Sequence, residues 1–195
     1  GVDKTVKRAV PLKVIKKIKE LDFSMNPTFD FARDMFLMSF YTRGMSFVDM
    51  AYLRKKDLQD GVLSYRRRKT GQQLFIKWEK CMQEIVEKYD TPQSNYLLPI
   101  IKPFSEIEER RQYIYAAHNI NRCLKIIGKE LGLSVSLTLY VARHAWASIA
   151  KSKNVPLSVI SEGMGHDSET TTRIYLASLD TVAIDKANSM ILKSL

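Results

Sequence analysis

The 195-residue chain has no stretch approaching the roughly 20 consecutive apolar residues that a membrane-crossing helix needs. Its lysine-rich beginning also lacks the apolar segment of a secretory signal. These two absences predict a cytoplasmic protein. Cysteine is scarce: Cys81 and Cys123 stand in separate amphipathic stretches, without CxxC or Cys/His spacing. Neither a zinc site nor a disulfide framework is suggested, and both thiols are expected to pack. There is no glycine-rich phosphate loop and no convincing cluster of carboxylates, so nucleotide hydrolysis and metal-dependent chemistry lack recognisable parts. Nor is there an internal repeat, a low-complexity segment or a long linker. With 45% apolar residues, one domain with a hydrophobic core is the expectation.

What the chain does have is positive charge, +10 in all, with a pI near 9.6. The charge is uneven. Lysines and Arg8 crowd the first twenty residues, and Arg54, Lys55 and Lys56 precede the run Arg66, Arg67, Arg68 and Lys69. Two basic clusters suggest a polyanionic partner, although solvated basic faces give the same count and charge alone does not separate DNA from RNA.

Periodicity predicts a mainly α chain with a small antiparallel β-sheet, an α+β class. Val14, Ile15, Ile18 and Leu21 recur at near-helical spacing after Pro11, which suits a first helical turn. A well-buried helix is expected over Phe29 to Tyr41, stopping near Gly44, and a short one over Phe47 to Leu53. The turn signals Asp60-Gly61 and Thr70-Gly71 then flank two strand-like runs, Val62 to Tyr65 and Gln73 to Ile76, joined through a hairpin tip at Lys69 to Gln72. Helices return at Glu79 to Tyr89. A long one follows Ser105 and Glu108, which have capping-box spacing, and ends near Gly132. Further helices are expected over Thr138 to Lys153, from Pro156, and from Asp167 or Ser168 through Tyr175. Residues 180–195 form an amphipathic tail.

The densest chemistry lies between Arg143 and Tyr175, in RHAWASIAKSKNVPLSVISEGMGHDSETTTRIY. Arg143 can fork two N–H donors onto a phosphate, His166 can donate another hydrogen bond, and Tyr175 offers a hydroxyl able to act as a covalent nucleophile. A phenol has an ordinary pKa of about 10, so its attack on a phosphodiester requires cationic donors around the anionic transition state. Each residue alone has a blander reading, as a surface arginine, a cap or core histidine, or a half-buried tyrosine. The ordered spacing R-H…G-H-x8-Y favours phosphoryl transfer. Lys69, at an exposed hairpin tip, could protonate a leaving alkoxide as a general acid.

This spacing, with RRRKTGQQLFI, resembles the catalytic signature of the tyrosine recombinases, the phage integrase family. RGMSFVDMAYL and YVARHAWASIA further resemble integrases of Bacteroidetes mobile elements. The resemblance covers essentially the whole chain and implies the tyrosine recombinase catalytic-domain fold. It implies that residues 1–195 are a single catalytic domain without the family's N-terminal core-binding domain. It makes Tyr175 the nucleophile, with Arg143, His166 and Lys69 beside it, and Arg66, Arg67 and Arg68 DNA-binding residues contacting phosphates. Double-stranded DNA and other protomers in a synaptic tetramer are the implied partners, with the fragment alone monomeric, the tail 180–195 docking on a neighbour, and no metal or cofactor.

Two departures stand out. Tyr140 occupies the place of the histidine in H-x-x-R; it can donate one hydrogen bond but is no near-neutral acid or base. Ser46 falls where the family's first arginine is expected, with Asp49 on the following acidic position in a supporting role. Arg43, three residues earlier and so within a helical turn, is the candidate replacement. Three other functions remain open: a type IB topoisomerase with the same covalent step, a noncatalytic DNA-binding regulator if the site has decayed, and, more weakly, a metal-dependent transposase.

Overall fold

The structure is a computed structural model of the chain; it describes residues 9–166, Glu169 and 180–195, with side chains for the last segment from residue 187. Helix α2 (Pro27–Tyr41) is the centre. Asn26 caps it, its side chain accepting the Phe29 N–H at 3.2 Å, and Pro27 opens it, a position where the missing N–H costs nothing. Its run ARDMFLMS is buried on every side, which an apolar stripe alone could not achieve. Around it pack α1 (Leu12–Glu20), α4 (Lys80–Lys88), α5 (Glu109–Glu130) and α6 (Leu139–Ser152). Between α2 and α4 lie the short α3 (Phe47–Ala51), a 3-10 turn (Lys55–Asp57) and a sheet of β1 (Leu58–Gln59), β2 (Val62–Arg66) and β3 (Gln73–Lys77).

The sheet is antiparallel in the order β1-β2-β3, with Leu63 opposite Ile76 and Tyr65 opposite Leu74. These four side chains face the core while their neighbours alternate outward. Helix α7 (Leu157–Met164) follows α6, and Ala147, Ala150, Ile160 and Met164 form a small second core between the two. That contact sets the C-terminal end of α7 over the sheet. The last helix, α8, is Asp180–Lys193. Among the described residues no helix is long and apolar enough to cross a membrane.

The expected elements that fall on described residues are present, with ends differing by a residue or two; the helix expected from Asp167 or Ser168 through Tyr175 lies, but for Glu169, outside the described residues. One cap is corrected: α5 begins at Glu109 and has no side-chain cap, while Ser105 Oγ accepts the Ile107 N–H at 3.1 Å in a local turn. The capping-box spacing was satisfied by this cheaper local bond. Strand β1 was not anticipated, because two residues are too few to show alternation.

Candidate active site

Four polar side chains that belong at a surface by type are buried together or nearby: Arg67, Asp49 and Arg143 are each 5% exposed and His166 is 7% exposed. Arg143 projects from α6 and bridges two backbone segments. One terminal nitrogen donates to Gly44 O at 2.8 Å and the other to Met164 O at 2.9 Å. The guanidinium fork thus ties the turn after α2 to the end of α7. Gly44 permits this approach. It has φ +72°, and a Cβ there would lie 2.7 Å from Arg143 Cα. Gly44→Ala should therefore combine left-handed strain with overpacking, about 2–4 kcal/mol in chemical denaturation. Gly61, with φ +74° and nothing within 4 Å of its Cβ position, is the control: Gly61→Ala should cost only about 1 kcal/mol. Equal losses at both positions would show that the Arg143 contact is unimportant.

Asp49, in the first turn of α3, accepts the Arg68 backbone N–H at 3.1 Å. Burial pushes its carboxyl above the usual range, and the Arg68 N–H, Arg67, Arg68 and Arg143 pull the other way. Asp49 therefore fixes the hairpin and shares its field with two buried guanidiniums. Tyr65 on β2 is held in the same field. Burial, and then Asp49, push its phenol up, while Arg143, Arg67 and Arg43 oppose them, so it remains a neutral hydroxyl.

The end of α7 is a second junction. Gly165 takes φ +70° as its C-cap, and the His166 N–H returns to Ser161 O at 3.0 Å, a closure that glycine favours at this position. The Gly165 carbonyl then accepts Arg67 Nη1 at 3.0 Å and Thr70 Oγ1 at 2.9 Å. The hairpin that carries Lys69 is thus fastened immediately beside His166.

The remaining expected residues are placed as follows. Lys69 is exposed at the hairpin tip. Arg66 is exposed and donates to Gly71 O at 2.5 Å; Arg68 is exposed and lies 3.7 Å above the Tyr52 ring. Arg67 differs from both. The two-residue alternation of β2 carries past its end, so Arg67 follows Leu63 and Tyr65 inward and is buried, where an outward phosphate contact was expected. Arg43, at φ 64°, sends a terminal nitrogen to Phe75 O on β3 at 2.7 Å. Ser46 precedes α3 and makes no side-chain cap bond. Tyr140 is 46% exposed in the first turn of α6 and meets His144 edge-on at 4.6 Å. His144 is half-buried there, because the 3.6-residue helical repeat turns it away from Arg143. Tyr175 lies outside the described residues.

Sequence reasoning missed Thr70, Tyr65 and the burial of Arg67. For the last two the signal was available, since positions 63, 65 and 67 share one strand face. Thr70 had none, because its partner is distant in sequence.

The arrangement, cations gathered around buried backbone carbonyls beside a histidine, suits a site that receives an anion. The phage integrase family matches residues 12–181, and the chain belongs to that family. Among curated relatives, it is 25% identical over 189 residues to tyrosine recombinase XerA of Thermococcus kodakarensis, covering 90% of this chain and 64% of that protein. It is 26% identical over 181 residues to tyrosine recombinase XerC of Thermodesulfovibrio yellowstonii, covering 87% and 59%. The chain thus spans less than two thirds of these relatives. In fold it is similar to XerH site-specific recombinase in a pre-cleavage complex with difH substrate, with TM-score 0.66, 17% identity, and coverage of 95% of this chain and 55% of that one.

Proposed function

We propose that this chain is the catalytic domain of a site-specific DNA recombinase or integrase that cuts and rejoins DNA through a 3′-phosphotyrosyl intermediate. The observation that carries this reading is the buried Arg143 guanidinium, fastened to the same end of α7 that presents His166, nine residues before Tyr175 in the sequence. Support also comes from the family match and from relatives named tyrosine recombinases.

In this mechanism the Tyr175 oxygen attacks the scissile phosphorus as its proton passes to solvent. The P–O5′ bond breaks, and the departing oxygen takes a proton from Lys69 to become a 5′-hydroxyl. Arg143 and His166 donate hydrogen bonds to the nonbridging oxygens, where charge accumulates. A 5′-hydroxyl of the partner duplex then attacks the phosphotyrosine, so the phosphodiester energy is kept. Lys69 can reach outward because its neighbours are pinned by Gly165, while Arg66 and Arg68 border the hairpin on its exposed side.

Double-stranded DNA is the proposed partner, together with further protomers in a synaptic tetramer. Met190, Ile191 and Leu192 on α8 are all more than half exposed, which supports a tail that docks on a neighbouring protomer. A bacterial cytoplasmic location and an origin on a mobile element accompany the proposal.

The test is to incubate the full-length protein with nicked suicide DNA carrying its candidate site, in EDTA. A denaturation-resistant adduct is expected from wild type and none from Tyr175→Phe. Intact DNA binding without any adduct, or an adduct that persists in Tyr175→Phe, would overturn the mechanism.

A further inference from the structure

The family's first arginine is replaced here by Ser46, so a phosphate in this site would lack one guanidinium. Two arginines compete for the place. Arg43 is the nearer in sequence, and one of its terminal nitrogens donates to the Phe75 carbonyl of β3 at 2.7 Å in an exposed setting, which draws the side chain onto the sheet. Arg67 is 5% exposed and comes from the other side, at the end of β2.

Two features of Arg67 distinguish it. Its backbone is locked at the base of the hairpin: its N–H donates to Gln72 O at 2.8 Å and its carbonyl accepts the Gly71 N–H at 2.7 Å. Its side chain is then oriented by the single bond from Nη1 to Gly165 O at 3.0 Å. The buried Nε has no hydrogen-bond partner among the described residues, and it alone of their fully buried side-chain nitrogens and oxygens is left so. Such a donor costs about 1–3 kcal/mol, more for a charged group, and native structures rarely tolerate one without a use. Asp49 feels the Arg67 charge, but the hydrogen bond it accepts comes from the Arg68 N–H, at 3.1 Å.

We infer that Arg67 is a catalytic residue: its Nε edge is held ready for a nonbridging oxygen of the scissile phosphate, supplying the guanidinium that Ser46 cannot. The inference rests on the recombinase reading above. Nη1 anchors the guanidinium plane on the Gly165 carbonyl, and Nε–H points the remaining edge at the anion that completes its hydrogen bonding. Because Gly165 also accepts Thr70 Oγ1, Arg67 and Lys69 enter the site on one rigid piece, registered against His166. Two cations thus come from the hairpin, where the family pattern draws only the lysine from it.

The experiment compares two suicide DNAs, one with an ordinary scissile phosphodiester and one in which a methyl group replaces a nonbridging oxygen. The neutral methylphosphonate develops less charge and needs one guanidinium fewer. With the full-length protein, Arg67→Ala should lower adduct formation on the phosphodiester by about 10²–10³-fold, yet come within about tenfold of wild type on the methylphosphonate. Arg43→Ala should stay within about threefold of wild type on both, as expected for an arginine that does not contact the transition state.

An equal loss on both substrates, in Arg67→Ala and in the milder Arg67→Gln, would make Arg67 only a strut for Gly165 and overturn the inference. So would normal cleavage by Arg67→Ala with Arg43→Ala defective and rescued by the methyl group. A wild-type protein that forms no adduct on either DNA fails the recombinase reading itself, a result distinct from these.

Discussion

Arg143→Ala should lower single-turnover cleavage of a suicide substrate by at least about 10²–10³-fold, the usual consequence of removing one preorganised donor from a developing oxyanion. The loss has two sources. The guanidinium donates to Gly44 O and Met164 O, 2.8 and 2.9 Å away, so its removal also unties the turn after α2 from the end of α7 that carries His166. Arg143→Lys should recover little, because an ammonium is a point charge and cannot span two carbonyls as a planar fork does. Thermal melting of both variants separates the contributions: a modest fall in stability with a large fall in rate assigns the effect to chemistry. Cleavage by Arg143→Ala within about tenfold of wild type would remove Arg143 from the reacting centre.

The second large effect is expected in folding. Asp34, buried on α2, accepts Arg33 Nε at 2.8 Å, Lys88 Nζ at 2.8 Å and Tyr89 Oη at 2.6 Å. Arg33 also pairs with Asp30 at 2.7 Å and donates to Leu21 O at 2.6 Å, which fastens the end of α1 to the central helix. Asp34→Ala leaves Arg33 buried with one carboxylate fewer, and should cost about 3–5 kcal/mol in denaturant unfolding. A change below about 1 kcal/mol would show that Asp30 alone compensates the cluster.

The pH dependence of this cluster has a definite sign. Burial alone would lower the Lys88 pKa, but its bonds to Asp30 and Asp34 outweigh that and raise it above 10.5. Burial, followed by the bond to Asp34, raises the Tyr89 phenol above 10.0. Both groups hold their protons more tightly when folded. Their contribution is therefore complete below those ordinary values and disappears as pH climbs through the raised ones. In Asp34→Ala this alkaline loss of stability should be blunted.

How much of the site was legible follows from which interactions are local. The R-H…G-H-x8-Y spacing, the hairpin with Lys69 at its tip and the helical periods of α1, α4 and α5 are written over short distances, where side-chain period and turn chemistry decide the backbone. The α5 cap misled because a serine at a loop offers several local bonds of similar energy, and only the path of the chain selects among them. Arg66, Arg67 and Arg68 look equivalent as letters. Strand alternation already distinguishes the middle one, but its value depends on what lies beneath the strand.

The sequence by itself determined the class of fold, the basic character, the ordered R-H…G-H-x8-Y set of candidate residues and the absence of an arginine at position 46. Tertiary structure decided that Arg143 holds the α2 turn and α7 together and that Gly165 receives the hairpin. It also set Arg43 on β3 while Arg67 turned inward. Gly44 and Arg143 are 99 residues apart in sequence, Arg67 and Gly165 98. Contacts of that separation arise only once the helices around α2 have packed and α7 has docked on α6, so no local pattern in the chain encodes them.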